Sequence, residues 1–346
     1  MKYIVSGGGG FVGGALVRRL VAEGHAVLSL ARGEYSALQA LGVHTLQVDL
    51  GRSSPEELSA QISAQGFADA SCFFHVASHV KMWGAFEDFY RSNVVGTENV
   101  IALCRQLDIP RLVFTSSPSV IADGSDLRGI DETYPYPDKY LAHYPKTKAL
   151  AEQAVLAANS SSLATCALRP HLIFGPGDTN LGPTVLEKAK KGQLLQVGDG
   201  KNLVDFCYID DCVTAHVLAD SALAERPESR GLAYFITQGD PVPLWEWIAI
   251  LLEQNGVPPI KRSVSPRVAF AAAGLFELLA RVTGKEPRLT RFLIKEMATD
   301  HYFSIARARQ LLGFEPSTGV FEALRQEARQ ERASEQQFSQ NPVHFS

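Results

Sequence analysis

Four consecutive glycines, Gly7 to Gly10, with a fifth at Gly13, separate the short apolar run Tyr3–Ser6 from a helical pattern over Phe11–Glu23 whose Val12, Leu16, Val17 and Leu20 share one face. A strand that passes through such a turn into a helix leaves few folds open. Glycine is required where the turn is tight, where backbone amides approach a phosphate, and where helix packs closely on strand, while the helix N-terminus adds partial positive charge. The run satisfies both G-x-G-x-x-G (Gly8, Gly10, Gly13) and G-x-x-G-x-x-G (Gly7, Gly10, Gly13). Gly7, Gly10, Phe11, Val12 and Gly13 are therefore the expected pyrophosphate cradle.

The pattern continues down the chain. Further strands are expected at Ala26–Leu30, His44–Val48, Cys72–Val76, Arg111–Thr115 and Thr165–Arg169, with intervals long enough for crossover helices. One crossover carries its own start signal, Ser54 at the N-cap, Pro55 at the first helical position and Glu56-Glu57 in the first turn. The class is α/β, a doubly wound parallel sheet over residues 1–170. After Pro170, Gly and Pro crowd into Phe174–Pro183, strands are expected at Leu203–Asp211 and Ala233–Thr237, and helical periodicity dominates from Pro243. A smaller, mostly helical C-terminal substrate part is expected from 171–202 and 231–322, with a return to the first domain at about 203–230. Residues 323–346 read as a polar, disordered tail.

Charge and cysteine usage exclude several classes. With 33 Lys+Arg against 37 Asp+Glu, a net charge of -4 and no basic block, nucleic acid is not an expected partner. Five cysteines without a C-x-x-C pair read as buried thiols of a reducing compartment, the cytoplasm, and the first residues leave no room for a signal peptide. Val268–Val282 is apolar but carries Glu277 and Arg281, so it does not span a membrane, although it could accept lipid chains or touch a membrane surface.

Three constellations carry chemistry. At the end of the second strand, Arg32 stands where an acid would bond a ribose hydroxyl; its guanidinium suits a 2′-phosphate, so NADPH/NADP+ is the expected cofactor. Asp49, with Leu50 beside it after the third strand, is placed for the adenine amino group. Tyr144-Pro145-Lys146-Thr147-Lys148 puts a phenol and an ammonium one helical turn apart, where the cation is expected to lower the phenol's pKa. Ser117, in Phe114-Thr115-Ser116-Ser117-Pro118 at the carboxyl end of a strand, can bond a substrate carbonyl and the alkoxide formed from it.

Together with His75-Val76-Ala77-Ser78, Asn93-Val94-Val95-Gly96-Thr97 and Leu168-Arg169-Pro170…Gly175-Pro176-Gly177-Asp178, these motifs resemble an extended short-chain dehydrogenase/reductase of the 3β-hydroxysteroid dehydrogenase-like branch, over about residues 1 to 320. Ser117-Pro118-Ser119-Val120, His143-Tyr144-Pro145, Arg169-Pro170-His171-Leu172-Ile173 and Gly198-Asp199-Gly200 further resemble the 2-alkyl-3-oxoalkanoate reductases of bacterial long-chain olefin biosynthesis. The resemblance implies a Rossmann-type fold and a catalytic set of Tyr144 as proton donor, Lys148 on the nicotinamide ribose, Ser117 on the carbonyl and Asn93 supporting the relay. Ala77 and Ser78 would line the cofactor beside the nicotinamide. It also implies a lipid-like 2-alkyl-3-oxo acid as substrate, with a 3β-hydroxysterol as the alternative, and a homodimer. A dinucleotide sensor without turnover would have no need of Ser117, Tyr144 and Lys148 together. The histidines show no metal-binding spacing, so no metal is expected. Trp83, Phe86, Phe89 and Tyr90 suit either an acyl pocket wall or plain core.

Overall fold

The computed structural model describes residues 1–326; the tail expected at 323–346 lies almost wholly outside the described residues. Seven strands, β1 (Lys2–Ser6), β2 (Ala26–Ala31), β3 (His44–Gln47), β4 (Cys72–His75), β5 (Arg111–Thr115), β6 (Ala164–Pro170) and β7 (Leu232–Ile236), form one parallel sheet in the spatial order β7-β6-β5-β4-β1-β2-β3. Because helices cover both faces, the central strands are buried, and every residue of Cys72-Phe73-Phe74-His75 is buried, while the edge strand β3 is exposed at His44 and Gln47. The expected doubly wound sheet is present.

Chain direction across the sheet reverses between β1 and β4, and ligands of such sheets bind outside the carboxyl ends of the strands at that point. Register puts the right segments there. Ser6 pairs with both Leu30 and His75, and His75 pairs with Phe114, so the glycine turn, the Val76–Ser78 loop and Ser116-Ser117 leave the sheet along one edge. The helix Pro55–Ala64 begins with a capping box between Ser54 and Glu57, each side chain accepting from the other's backbone amide at 3.2 Å.

The second part departs from expectation in three places. Leu203–Asp211 is not one strand: Leu203–Val204 and Cys207–Tyr208 are separate two-residue strands, and Ile209–Glu225 is helical, with Asp210 and Asp211 in a first turn that favours acids. The run at Ala233–Thr237 forms β7 at the edge of the main sheet, so the return to the first domain extends past residue 230. Alongside the helices Leu244–Gln254, Pro266–Thr283 and Arg291–Ala298 lies a small sheet in which His301–Phe303 pairs with both Leu203–Val204 and Leu127–Ile130. No helix among the described residues is long and apolar enough to cross a membrane. All five cysteines are buried and unpaired.

Candidate active site

The glycine turn is closed by sterics as much as by hydrogen bonds. Gly7 has φ +75°, and a Cβ there would stand 2.9 Å from the Ala77 backbone; a Cβ on Gly13 would stand 2.2 Å from the Gly7 carbonyl oxygen. The helix Phe11–Ala22 starts at Gly10 with no side-chain cap and no acid in its first turn, so its first amides, Phe11 and Val12 among them, face no competing group of this chain. These features fit the pyrophosphate of a nicotinamide dinucleotide. The exposed Tyr35 ring lies over Gly9, closing the outer side of the turn.

A buried hydrogen-bond chain connects this turn to the opposite side of the site. Ala77 N–H donates to Ser6 Oγ at 3.2 Å, Ser6 Oγ lies 2.7 Å from His75 Nδ1, His75 Nε2 lies 2.9 Å from Thr97 Oγ1, and Thr97 Oγ1 donates to the Asn93 carbonyl at 2.6 Å. Proton counting fixes its sense. Thr97 spends its only proton on a carbonyl, so it accepts from His75 Nε2–H, and Ser6 donates to Nδ1. Burial pushes His75 down to about 3, which keeps this neutral tautomer.

Asn93 sits on a π-helical stretch, Tyr90–Val95, a distortion often found at functional sites. Its buried amide accepts from Ser78 Oγ at 3.2 Å and His79 N–H at 2.7 Å, and donates to Thr147 Oγ1 at 3.0 Å. The loop with Ala77 and Ser78 is thereby tied to the helix His143–Ala157, at the residue between Tyr144 and Lys148.

The Ser117 hydroxyl lies near enough to the Tyr144 phenol to pull its pKa down, but burial outweighs this and the phenol is pushed up to about 12. Ser117 is also positioned by its own turn, accepting from Ser119 N–H at 3.2 Å. Lys148 departs from expectation. Its ammonium donates to the Thr115 carbonyl at 2.6 Å and lies 3.9 Å from the Phe114 ring centroid, and it is not among the groups that lower Tyr144. The carbonyl and the aromatic face draw it under the end of β5. Burial lowers Lys148 to about 7, opposed by Glu152.

One residue of the site escaped the sequence reading. Glu296, on the helix Arg291–Ala298, is close enough to Tyr144 for its charge to raise the phenol's pKa; burial raises Glu296 itself, and His301 opposes that. His301 and His171 stand beside it, 2.7 Å apart from Nδ1 to Nε2, and His301 Nε2 donates to the Glu296 carbonyl oxygen at 2.8 Å. These three residues could converge on a cation. As placed, however, hydrogen bonds engage both nitrogens of His301.

The expected cofactor residues lie around the turn. Arg32 is exposed at the end of β2, and its guanidinium forms no ion pair among the described residues. Asp49 accepts from Gly51 N–H at 3.0 Å, which stiffens its turn, and the Leu50 carbonyl accepts from Asn99 Nδ2 at 2.7 Å. Phe89 is buried against His79 and His143, while Phe86 packs on His143 and Tyr90.

Residues 4–267 match the 3-beta hydroxysteroid dehydrogenase/isomerase family. A 2-alkyl-3-oxoalkanoate reductase of Stenotrophomonas maltophilia is 43% identical over 94% of this chain and 98% of its own. The decarboxylating sterol-4-alpha-carboxylate 3-dehydrogenase of Mus musculus is 32% identical over 93% of this chain and 89% of its own. Among solved structures, UDP-glucuronic acid 4-epimerase from Bacillus cereus, in complex with NAD, superposes with a TM-score of 0.72 at 19% identity, covering 95% of this chain and 98% of that one, and so shares the fold. With a family match across most of its length and full-length relatives above 30% identity, the chain belongs to the 3-beta hydroxysteroid dehydrogenase/isomerase family of extended short-chain dehydrogenases.

Proposed function

We propose that this protein reduces the ketone of a long-chain 2-alkyl-3-oxoalkanoate to the secondary alcohol, using NADPH, as a step toward olefin synthesis. The observation that carries the reading is that Ser117 follows β5 at the same sheet edge as the glycine turn, near enough to Tyr144 to act on its phenol. The closeness of the Stenotrophomonas maltophilia reductase supports the substrate. A 3β-hydroxysterol is the second reading, supported by the more distant mouse dehydrogenase.

In this reading Gly7, Gly10, Phe11, Val12 and Gly13 hold the pyrophosphate, and Asp49 and Leu50 border the adenine. Arg32 takes the 2′-phosphate, Ala77 and Ser78 lie beside the nicotinamide, and Lys148 holds its ribose. A bound nicotinamide dinucleotide supplies the hydride. Ser117 and Tyr144 bond the carbonyl oxygen, and Tyr144 gives its proton to the alkoxide as it forms. A phenol at about 12 is fully protonated at neutral pH, the state a proton donor for reduction needs. Asn93 holds the catalytic helix and the cofactor loop in one register. Residues 171–202 and those after β7, about 237–322, supply most of the substrate-facing part, and the five buried thiols suit a reducing cytoplasm. The enzyme is read as a homodimer, and no metal enters the reaction. Substitution Tyr144→Phe tests the reading, with retained dinucleotide binding and loss of turnover as the expected result.

A further inference from the structure

The helix Pro266–Thr283 is inverted with respect to ordinary packing. Its buried positions are Ala269, Ala273, Glu277 and Ala280, facing the helix Arg291–Ala298, where Glu277 pairs with Arg291 at 2.7 Å. Its large apolar side chains face outward: Val268, Leu275, Leu278, Leu279 and Val282 are 60%, 58%, 58%, 49% and 80% exposed, and their spacing puts them on one face. A stripe of this kind on a soluble chain marks a surface that another phase or molecule covers.

Charge identifies the cover. Lys261, Arg262, Arg267, Arg281, Lys285 and Arg288 are all exposed, with Glu286 the single exposed acid between residues 261 and 288, in a chain whose overall charge is -4. None of these six cations forms an ion pair among the described residues. A second copy docking by the same face would bring this basic rim against itself. An anionic bilayer meets both features, with acyl chains for the stripe and headgroup phosphates for the rim.

We propose that the Pro266–Thr283 helix lies in the plane of an anionic lipid surface, with Val268, Leu275, Leu278, Leu279 and Val282 at the headgroup–acyl boundary and the flanking cations on lipid phosphates. This orientation sets the active site beside the membrane. The Glu277–Arg291 pair joins the Pro266–Thr283 helix to the helix Arg291–Ala298, which carries Glu296 of the site. A substrate with long alkyl chains then reaches the site without leaving the interface.

The test is flotation of the full chain with phosphatidylcholine vesicles, with and without about 30% phosphatidylglycerol, at about 50 and 500 mM salt, since screening at the higher salt removes most surface attraction. Wild type is expected to float with the anionic vesicles at low salt, and at least about tenfold less with neutral vesicles or at high salt. The double variant Leu278→Ser/Val282→Ser, and separately Arg281→Glu/Lys285→Glu, should each lose about tenfold of this partitioning. The serine variant should keep its thermal midpoint and its turnover of a short-chain soluble ketone. Equal flotation of wild type and both variants overturns the proposal. So does a wild type that stays in solution as a dimer and becomes a monomer in the serine variant, which assigns the face to a second copy. Flotation is read without substrate or cofactor, so its failure leaves the proposed reaction standing.

Discussion

Asn93 Nδ2 donates to Thr147 Oγ1 at 3.0 Å, while Asn93 Oδ1 accepts from His79 N–H, so one buried amide holds the helix His143–Ala157 and the loop after β4 together. Substitution Asn93→Ala strands the His79 amide and frees the helix turn between Tyr144 and Lys148. Thermal stability should fall by about 1–3 kcal/mol, the cost of unpaired buried polar groups, and kcat should fall by about tenfold with a smaller change in KM. Asn93→Asp keeps both acceptor contacts but sets an oxygen against the His79 carbonyl and Thr147 Oγ1, so it should restore neither the link to Thr147 nor kcat. Wild-type kcat in Asn93→Ala would refute this positioning role.

Gly13→Ala probes the turn itself. The new Cβ meets the Gly7 carbonyl oxygen at 2.2 Å, and a backbone acceptor cannot swing aside. Dinucleotide affinity, measured by calorimetry, should drop by about tenfold or more, while Gly24→Ala, where a Cβ meets nothing within 4 Å but φ is +80°, should cost some stability and leave affinity intact.

The turn was legible in the sequence because glycine at fixed spacing between strand and helix reports a local steric need. The positions of Ser117 and Tyr144 were legible for a similar reason, since each stands at a known place relative to an element end. Lys148 was legible as a residue of the site but not in its orientation, because the Thr115 carbonyl and the Phe114 ring that draw its ammonium belong to a distant strand. Glu296 carried no signal at all: it is one acid on a short amphipathic helix, brought to Tyr144 only by tertiary packing. The strand Leu127–Ile130 was hidden likewise, since it contains Gly129 and finds its partner His301–Phe303 far along the chain.

In the proposed reading cofactor choice rests on Arg32, which is exposed at the end of β2 and forms no ion pair among the described residues. Arg32→Ala should weaken NADPH binding by about tenfold, the loss of a charge-assisted phosphate contact, and leave NADH binding nearly unchanged. An unaltered preference between the two dinucleotides would remove Arg32 from this role.

The pH dependence follows from Glu296. As an anion it raises the Tyr144 phenol, so Glu296→Gln removes a negative neighbour and lowers the phenol's pKa. In the proposed reaction reduction requires the protonated phenol, and its alkaline limb should therefore move to lower pH in the variant. A limb that stays in place, or moves upward, would contradict the coupling. The measurement is kcat/KM for ketone reduction across the alkaline range in both proteins.

The most direct test of the proposed reaction runs in the oxidative direction, because free 3-oxo acids lose carbon dioxide on standing. Reduction of NADP+ would be followed with a long-chain 2-alkyl-3-hydroxyalkanoate and with a 3β-hydroxysterol, in wild type and Tyr144→Phe. The account predicts turnover of the hydroxy acid, little or none of the sterol, and a loss of about 100-fold or more in Tyr144→Phe with dinucleotide binding unchanged. Turnover of the sterol alone, or near-normal turnover in Tyr144→Phe, would contradict it.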